Sequence, residues 1–178
     1  TSAPTGTATV RQTLTNVVTF SGLPTPTLSY QWKLCTDNTN TSSCTDIAGA
    51  TSSTYTLVDS DTQKWVRSFV TATNSAGSAT AWSSPTTQVQ STYPNLPTNV
   101  VGTAVSSTSI SVDFMAPTSN GGSAINDYDI EYSSDGGNTW TNFDNGASTT
   151  NPIVVTGLTP GASYIFHIKA KTAVGGGS

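Results

Sequence analysis

Charge is what this sequence has least of. Its 178 residues include six Lys or Arg, ten Asp or Glu and one His, a charged fraction of 9% and a net charge of −4. Six scattered basic residues and a pI near 4.5 leave no electrostatic footprint for nucleic acid or an anionic membrane. Apolar runs are short: none approaches the ~20 residues a helix needs to span a bilayer, so no membrane insertion is expected. The start, Thr1-Ser2-Ala3-Pro4-Thr5, is polar and does not read as a signal peptide. A leader already removed, or an internal slice of a longer protein, is the expectation. With His167 as the one histidine and no nucleophile elbow, no Ser-His-Asp set can be assembled. No Gly-rich phosphate loop stands at a strand–helix junction, and no stretch makes a convincing amphipathic helix. We assign no catalytic residue, no metal ligand and no cofactor, and read the chain as non-enzymatic.

Cysteine is scarce too. Cys35 and Cys44 flank the polar stretch Thr36 to Ser43. A metal site would want more ligands, and His167 is far away in sequence. The reading preferred is a local disulfide clamping a hairpin, with two free thiols in a reducing cytosol as the alternative. Closing so short a loop stabilises by roughly 2–3 kcal/mol in the chain-entropy model, and points to an oxidising, extracellular setting.

What is present is repetition. Ser and Thr make up about a third of the chain, which with so little charge raises the prospect of disorder. Against that, 34% of residues are apolar and they fall at strand spacing. Val70-Thr71-Ala72-Thr73-Asn74-Ser75-Ala76-Gly77 recurs 98 residues later as Ile168-Lys169-Ala170-Lys171-Thr172-Ala173-Val174-Gly175. The same offset pairs Tyr30, Trp32 and Leu34 with Tyr128, Ile130 and Tyr132, and Tyr55 and Leu57 with Ile153 and Val155. Three apolar strand patterns repeated at one spacing predict two copies of one β architecture. The fold class expected is all-β, two tandem Greek-key β-sandwiches. The domains are 1–92 and 98–178, joined by a Pro-containing linker, 93–97, in which Pro94 and Pro97 favour extended backbone.

In the first half, Tyr30-Gln31-Trp32, the Cys35 and Cys44 pair, Ile47-Ala48-Gly49-Ala50, Tyr55, Asp61 and Val70-Thr71-Ala72-Thr73-Asn74 resemble the immunoglobulin-like repeats of large bacterial surface proteins. Related modules are carried on phage virions. The resemblance covers about residues 3–90 and implies that Trp32 is the buried strand-C tryptophan, with Tyr55 also in the core. Val70 stands where antibody domains have their second inter-sheet cysteine. Arg11 and Gln63 stand where glycine is expected, so two distorted turns are anticipated. Asp59 and Asp61 read as turn residues. Trp65 is out of phase with Val66 and Val70 and so points away from the core. Trp65 and Trp82 are the candidates for surface binding, as sugar-stacking platforms or interface anchors.

In the second half, Val155-x-Gly157-Leu158-Thr159-Pro160-Gly161-x-x-Tyr164-x-Phe166-x-Ile168-x-Ala170 resembles the fibronectin type III domain. That resemblance implies a corner packed by Leu158 and Tyr164, with Phe114 in the core where such domains usually have Trp. The last strand of this copy is truncated, so either the polypeptide continues or a neighbouring chain donates a strand. Ser133-x-Asp135-x-Gly137-x-Thr139-Trp140 matches the Asp-box of sialidase-type propellers, but a single copy between two strands reads as a hairpin turn. Asp127, Asp129 and Glu131 share one strand face as an acidic stripe, read as a solvated outer surface, with calcium binding or a hydrolase carboxylate pair as the minor alternatives. His167 faces out beside Lys169. Asn40-Thr41-Ser42 is a glycosylation sequon.

The function expected is a structural or adhesive module of a surface-exposed protein, on a bacterial cell surface or a phage virion (fibre, tail or capsid decoration). It would act as a spacer and a weak glycan or host-surface binder, partnered by neighbouring domains or subunits. The alternatives are accessory modules of a secreted polysaccharide hydrolase, and a filament subunit completed by strand exchange.

Overall fold

Nearly every period-two run in the sequence becomes a strand in the computed structural model, which describes residues 2–177. Contacts divide the chain into two units between Ser91 and Thr92.

The first unit contains β1 (Thr13–Thr15), β2 (Thr27–Cys35), β3 (Cys44–Asp46), β4 (Thr54–Thr56), β5 (Trp65–Asn74) and β6 (Gly77–Trp82). β1 pairs with β4 in one sheet, and the other runs β3-β2-β5-β6. Thr5 bridges to Thr15 and Thr9 to Gln90, so the irregular entry and exit of the unit are also tied down. Between the sheets lie Val10, Leu14, Trp32, Leu57, Val66 and Val89, with Leu34, Ile47 and Tyr55 packed against them. Trp32 is fully buried, and its indole N–H donates to the Ser52 carbonyl at 2.9 Å. A buried indole needs such a partner, because an unpaired N–H would forfeit its hydration. Tyr55 lies 5.9 Å from Trp32, ring to ring, and is half-buried.

Asp61 ends a single 3-10 turn, Asp59–Asp61, and is itself buried. Its carboxylate accepts the Tyr55 hydroxyl at 2.8 Å and the Val58 N–H at 2.9 Å. Burial, and then the adjacent Asp61 carboxylate, push the Tyr55 phenol well above its ordinary value.

The two turns expected to be distorted are not. Arg11 and Gln63 take up φ of 70° and 64°, the left-handed conformation that glycine would have supplied. The Gln63 N–H donates to the Val89 carbonyl at 2.9 Å, which holds the turn in place despite the side chain. A non-glycine residue there costs about 1–2 kcal/mol, whereas glycine adds up to about 1 kcal/mol of unfolded-state entropy. Gln63→Gly should therefore stabilise the unit by roughly 0.5 kcal/mol, read as a rise in the urea midpoint with unchanged slope.

The second unit contains β7 (Thr98–Ser106), β8 (Ser109–Met115), β9 (Ile125–Ser133), β10 (Thr141–Phe143), β11 (Ile153–Val155), β12 (Ile165–Thr172) and β13 (Gly175–Gly176). Its sheets run β11-β8-β7 and β10-β9-β12-β13. The core gathers Val112, Phe114, Tyr128, Ile130, Ile153, Val155, Leu158, Ile168 and Ala170. Phe114 meets Tyr128 edge-on at 4.7 Å. Tyr164 is half-buried over this core; its hydroxyl oxygen accepts the Thr159 N–H at 2.8 Å, and its ring meets Tyr132 at 5.7 Å. That bond fixes the corner through which the chain turns from Leu158 into β12.

Residues 93–97, read as a linker, are built into this second unit. The Thr92 N–H donates to the Gly121 carbonyl at 2.8 Å and the Asn95 N–H to the Ser119 carbonyl at 2.9 Å. Pro94 and Pro97 are buried. Gly121 is required at that approach: a Cβ there would lie 2.1 Å from the Thr92 carbonyl oxygen.

The internal repeat is a repeat of topology. β2 and β9 are both nine residues long and begin 98 residues apart, at Thr27 and Ile125. Each is the central strand next to its unit's long antiparallel partner, β5 or β12. The chain is all-β, two sandwiches in tandem.

Candidate functional site

Alternation along β2 and β5 sends one set of side chains into the first core and the other onto the outer face of the sheet. Trp32, Val66 and Val70 go inward, so Gln31, Lys33, Arg67 and Phe69 go outward. The β5–β6 hairpin turns through Ser75 and Ala76, with Asn74 opposite Gly77. That register places Trp82 opposite Phe69, Thr80 opposite Thr71, and Ser78 opposite Thr73. On the other side of β5, Gln31 is opposite Phe69, Ser29 opposite Thr71, and Lys33 opposite Arg67. The outer face is thus ordered in rows: hydroxyls at one end, an aromatic pair in the middle, two cations beyond it.

Phe69 and Trp82 are 5.0 Å apart, tilted by 58°. The Lys33 ammonium lies 5.4 Å from the centroid of each ring and pairs with Asp46 on the neighbouring strand β3. A cation over two aromatic faces is attracted by their quadrupoles and also pins the rings. Trp82 keeps part of its surface open to solvent.

Trp65, the second candidate, sits on the same face of β5 opposite Cys35. Phe69 lies four positions further along the strand, about 13 Å away, so the two predicted tryptophans share a face without forming one platform. Between them stands Arg67, which is only 7% exposed. Its Nη1 donates to the Ser83 carbonyl at 2.9 Å and its Nη2 to the Asn38 carbonyl at 3.0 Å, while Nε has no partner among the described residues.

Asn38 belongs to the loop that the cysteines close. Cys35 and Cys44 form a disulfide opposite one another on β2 and β3. Inside the loop, the Asp37 carboxylate accepts the N–H groups of Thr39 and Asn40 and the Thr39 hydroxyl. Those bonds, the Asn40 N–H first, hold the Asp37 carboxyl far below the usual aspartate range. The sequon residue Asn40 is engaged too: its side-chain oxygen accepts the N–H and hydroxyl of Ser42. Reducing the disulfide, or replacing both cysteines by serine, should cost the unit about 2–3 kcal/mol. The check is a denaturant titration with and without a reductant.

The outer face of the second unit carries chemistry of another kind. Asp127, Asp129 and Glu131 do form one stripe on β9, but β12 lays lysines across it. Lys169 pairs with Glu131 at 3.1 Å, and Lys171 with Asp129 at 2.8 Å and Asp127 at 3.7 Å. The Asp129 hydrogen bond raises the Lys171 ammonium above its ordinary value. Two lysines thus face three carboxylates, and each carboxylate of the stripe lies within ion-pair distance of one of them. His167 stacks on Trp140 at 3.6 Å, nearly parallel, on that same face.

The Asp135 motif is a turn. Ser133 donates its hydroxyl to the carboxylate, Thr139 donates both N–H and hydroxyl, and Gly136 and Gly137 take φ of 75° and 94°. The Thr139 and Ser133 bonds hold the Asp135 carboxyl far below its ordinary 3.8. Its contribution is complete above 3.8 and is lost as pH falls through the depressed folded-state value. Asp61, Asp127, Asp129, Glu131 and Asp135 therefore each have a structural partner. Among the described residues no group of three or more His, Cys, Asp or Glu gathers as a metal site.

Sequence reasoning missed Phe69, Lys33 and Arg67. Phe69 was findable, because it is in phase with Trp65 along one strand, and a two-residue hairpin loop at Ser75-Ala76 dictates its pairing with Trp82. Arg67 carried no such signal, since its burial depends on how the loop after Cys35 folds back.

Two stacked antiparallel sheets per unit, with this strand order, define a β-sandwich of the immunoglobulin and fibronectin kind. Residues 95–178 match the family model of the fibronectin type III domain, and the second unit carries that domain. The chain is 34% identical over 89 residues to Protein sax-3 of Caenorhabditis elegans, a match covering 49% of this chain and 7% of that protein's length. Among solved structures, a two-domain fibronectin type III segment of chicken tenascin superposes with a TM-score of 0.53 at 16% identity. It covers 99% of this chain and 94% of its own. Domains A168–A170 of titin align at a TM-score of 0.49 and 21% identity, covering 93% and 54%. The tenascin likeness bears on the fold alone; activity and partners have to come from the faces.

Proposed function

We propose that this chain is a non-enzymatic structural and adhesive module of a surface-exposed, extracellular protein, and that the first sandwich contacts glycans through the Phe69–Trp82 face. The first unit is read as an immunoglobulin-like repeat of the kind carried on bacterial cell surfaces and phage virions, with neighbouring domains or subunits as partners. The observation that carries the proposal is the aromatic pair itself, 5.0 Å apart on an outer sheet face and bordered by Thr71, Thr80 and Ser29. Sugar rings present C–H faces that stack on indole and hydroxyls that bond to threonine and serine. A disulfide on the same sheet fits an oxidising compartment. A fibronectin type III domain beside it fits a spacer or adhesion role.

The test is affinity electrophoresis of the whole chain through gels containing soluble polysaccharides. Trp82→Ala should weaken retention about tenfold, which is ~1.4 kcal/mol, the order expected for one aromatic contact. Trp65→Ala should have the smaller effect, because its ring is separated from the pair by Arg67. Equal retention of wild type and Trp82→Ala would remove the platform from the account.

A further inference from the structure

We infer that the glycans recognised at this face are acidic, bearing carboxylates such as those of uronic acids; this rests on the glycan reading above and names its substrate class. The row next to the aromatic pair consists of Lys33 and Arg67, directly opposite each other on β2 and β5. Both point outward on the Phe69–Trp82 face. One acid, Asp46, pairs with this row, through Lys33. Arg67 has no carboxylate partner among the described residues; its two terminal nitrogens are held by the neutral carbonyls of Ser83 and Asn38, and Nε is unpartnered. The other nearby acid, Asp37, directs its oxygens at Thr39 and Asn40 within its own loop. The row thus carries one uncompensated positive charge in a chain whose net charge is −4.

Burial matters to what that charge does. A guanidinium 7% exposed is weakly screened by solvent, so its field reaches the open surface beside Trp82 at more than its aqueous strength. The Lys33 ammonium is the group able to meet a ligand. It sits over both rings, beside the spot where a stacked sugar would lie. Its partner Asp46 has a side chain 59% exposed and is easily displaced. A uronate stacked on Trp82 would place its carboxylate where Asp46 now reaches, exchanging one partly exposed ion pair for another while adding the ring contact.

The experiment compares polygalacturonate with the same polymer methyl-esterified, so that backbone and stacking stay constant and the charge alone is removed. The whole chain should bind the free acid about three- to fivefold more tightly, with the difference shrinking as salt rises. Asp46→Asn, which frees Lys33, should tighten binding of the acid form by a similar factor and leave the ester unchanged. Lys33→Met, which keeps the apolar stem, should abolish the preference; a fluorescence spectrum reports whether the aromatic pair stays in place. Equal binding of acid and ester, with Trp82→Ala still weakening both, would overturn the acidic class and leave the glycan reading standing. Binding of neither polymer nor of a neutral glucan would overturn both.

Discussion

Trp32→Ala should destabilise the first sandwich by about 3–5 kcal/mol, the range for removing a large aromatic from a closed core. The side chain is fully buried among Val10, Leu14, Leu57, Val66 and Val89, and those neighbours come from opposite sheets, so the space cannot close by shifting one strand. The substitution also removes the donor to the Ser52 carbonyl and the ring against which Tyr55 packs. A net stability of 5–15 kcal/mol is usual for a domain, so the variant should sit near its unfolding midpoint under mild conditions. The measurement is equilibrium urea unfolding followed by circular dichroism. Trp32→Phe, which keeps much of the volume and loses the N–H, should cost about half as much.

Arg67→Ala should follow at about 2–4 kcal/mol, although the residue is charged and lies on the outer side of its sheet. Two carbonyls, of Ser83 and Asn38, lose their donor; Ser83 is buried, whereas Asn38 is exposed. Each such group costs about 1–3 kcal/mol if water cannot reach it, and the aliphatic stem also stops filling the space between Trp65 and Phe69. Loosening the Asn38 contact frees the disulfide loop on one side. The variant should therefore show faster proteolysis within 36–43 as well as a lower urea midpoint. Arg67→Lys reaches only one carbonyl and should fall between wild type and alanine. Stability unchanged in Arg67→Ala would mean that the loop does not depend on this contact.

How much could be read from the residues depended on the range of the interaction. Strand identity is local: alternation at Tyr30-Gln31-Trp32 and Tyr128-Asp129-Ile130 specifies which side chains enter the core, and the 98-residue offset duplicates the pattern. The corner at Leu158 and Tyr164 was legible because the sequence between them spans a single turn. Trp65 reads as outward-facing from its phase against Val66 and Val70, since one residue of slip would exchange the two faces. What phase does not reveal is who lies across the strand. The partner of Trp82 follows from a hairpin loop, whereas the pairing of Asp127, Asp129 and Glu131 with two lysines required the register of β9 against β12, strands separated by some thirty residues. The left-handed turns at Arg11 and Gln63 went the other way. Their sequences argued against the conformation, and surrounding hydrogen bonds imposed it. Boundaries were the least legible feature, since two prolines look like a linker until Thr92 and Asn95 are seen to bond to the 119–121 turn.

The four tryptophans offer the most direct test of the glycan-binding face. Each indole N–H gives one signal in a nitrogen–proton correlation spectrum, and Trp32, Trp65, Trp82 and Trp140 occupy four different environments. We would titrate the labelled whole chain with polygalacturonate oligomers and follow the four signals. The account predicts that Trp82 shifts most, Trp65 less, and that Trp32 and Trp140 stay still. Movement of Trp140 with Trp82 unmoved would transfer binding to the fibronectin type III face, and four unmoved signals at saturating oligomer would contradict glycan contact at this face.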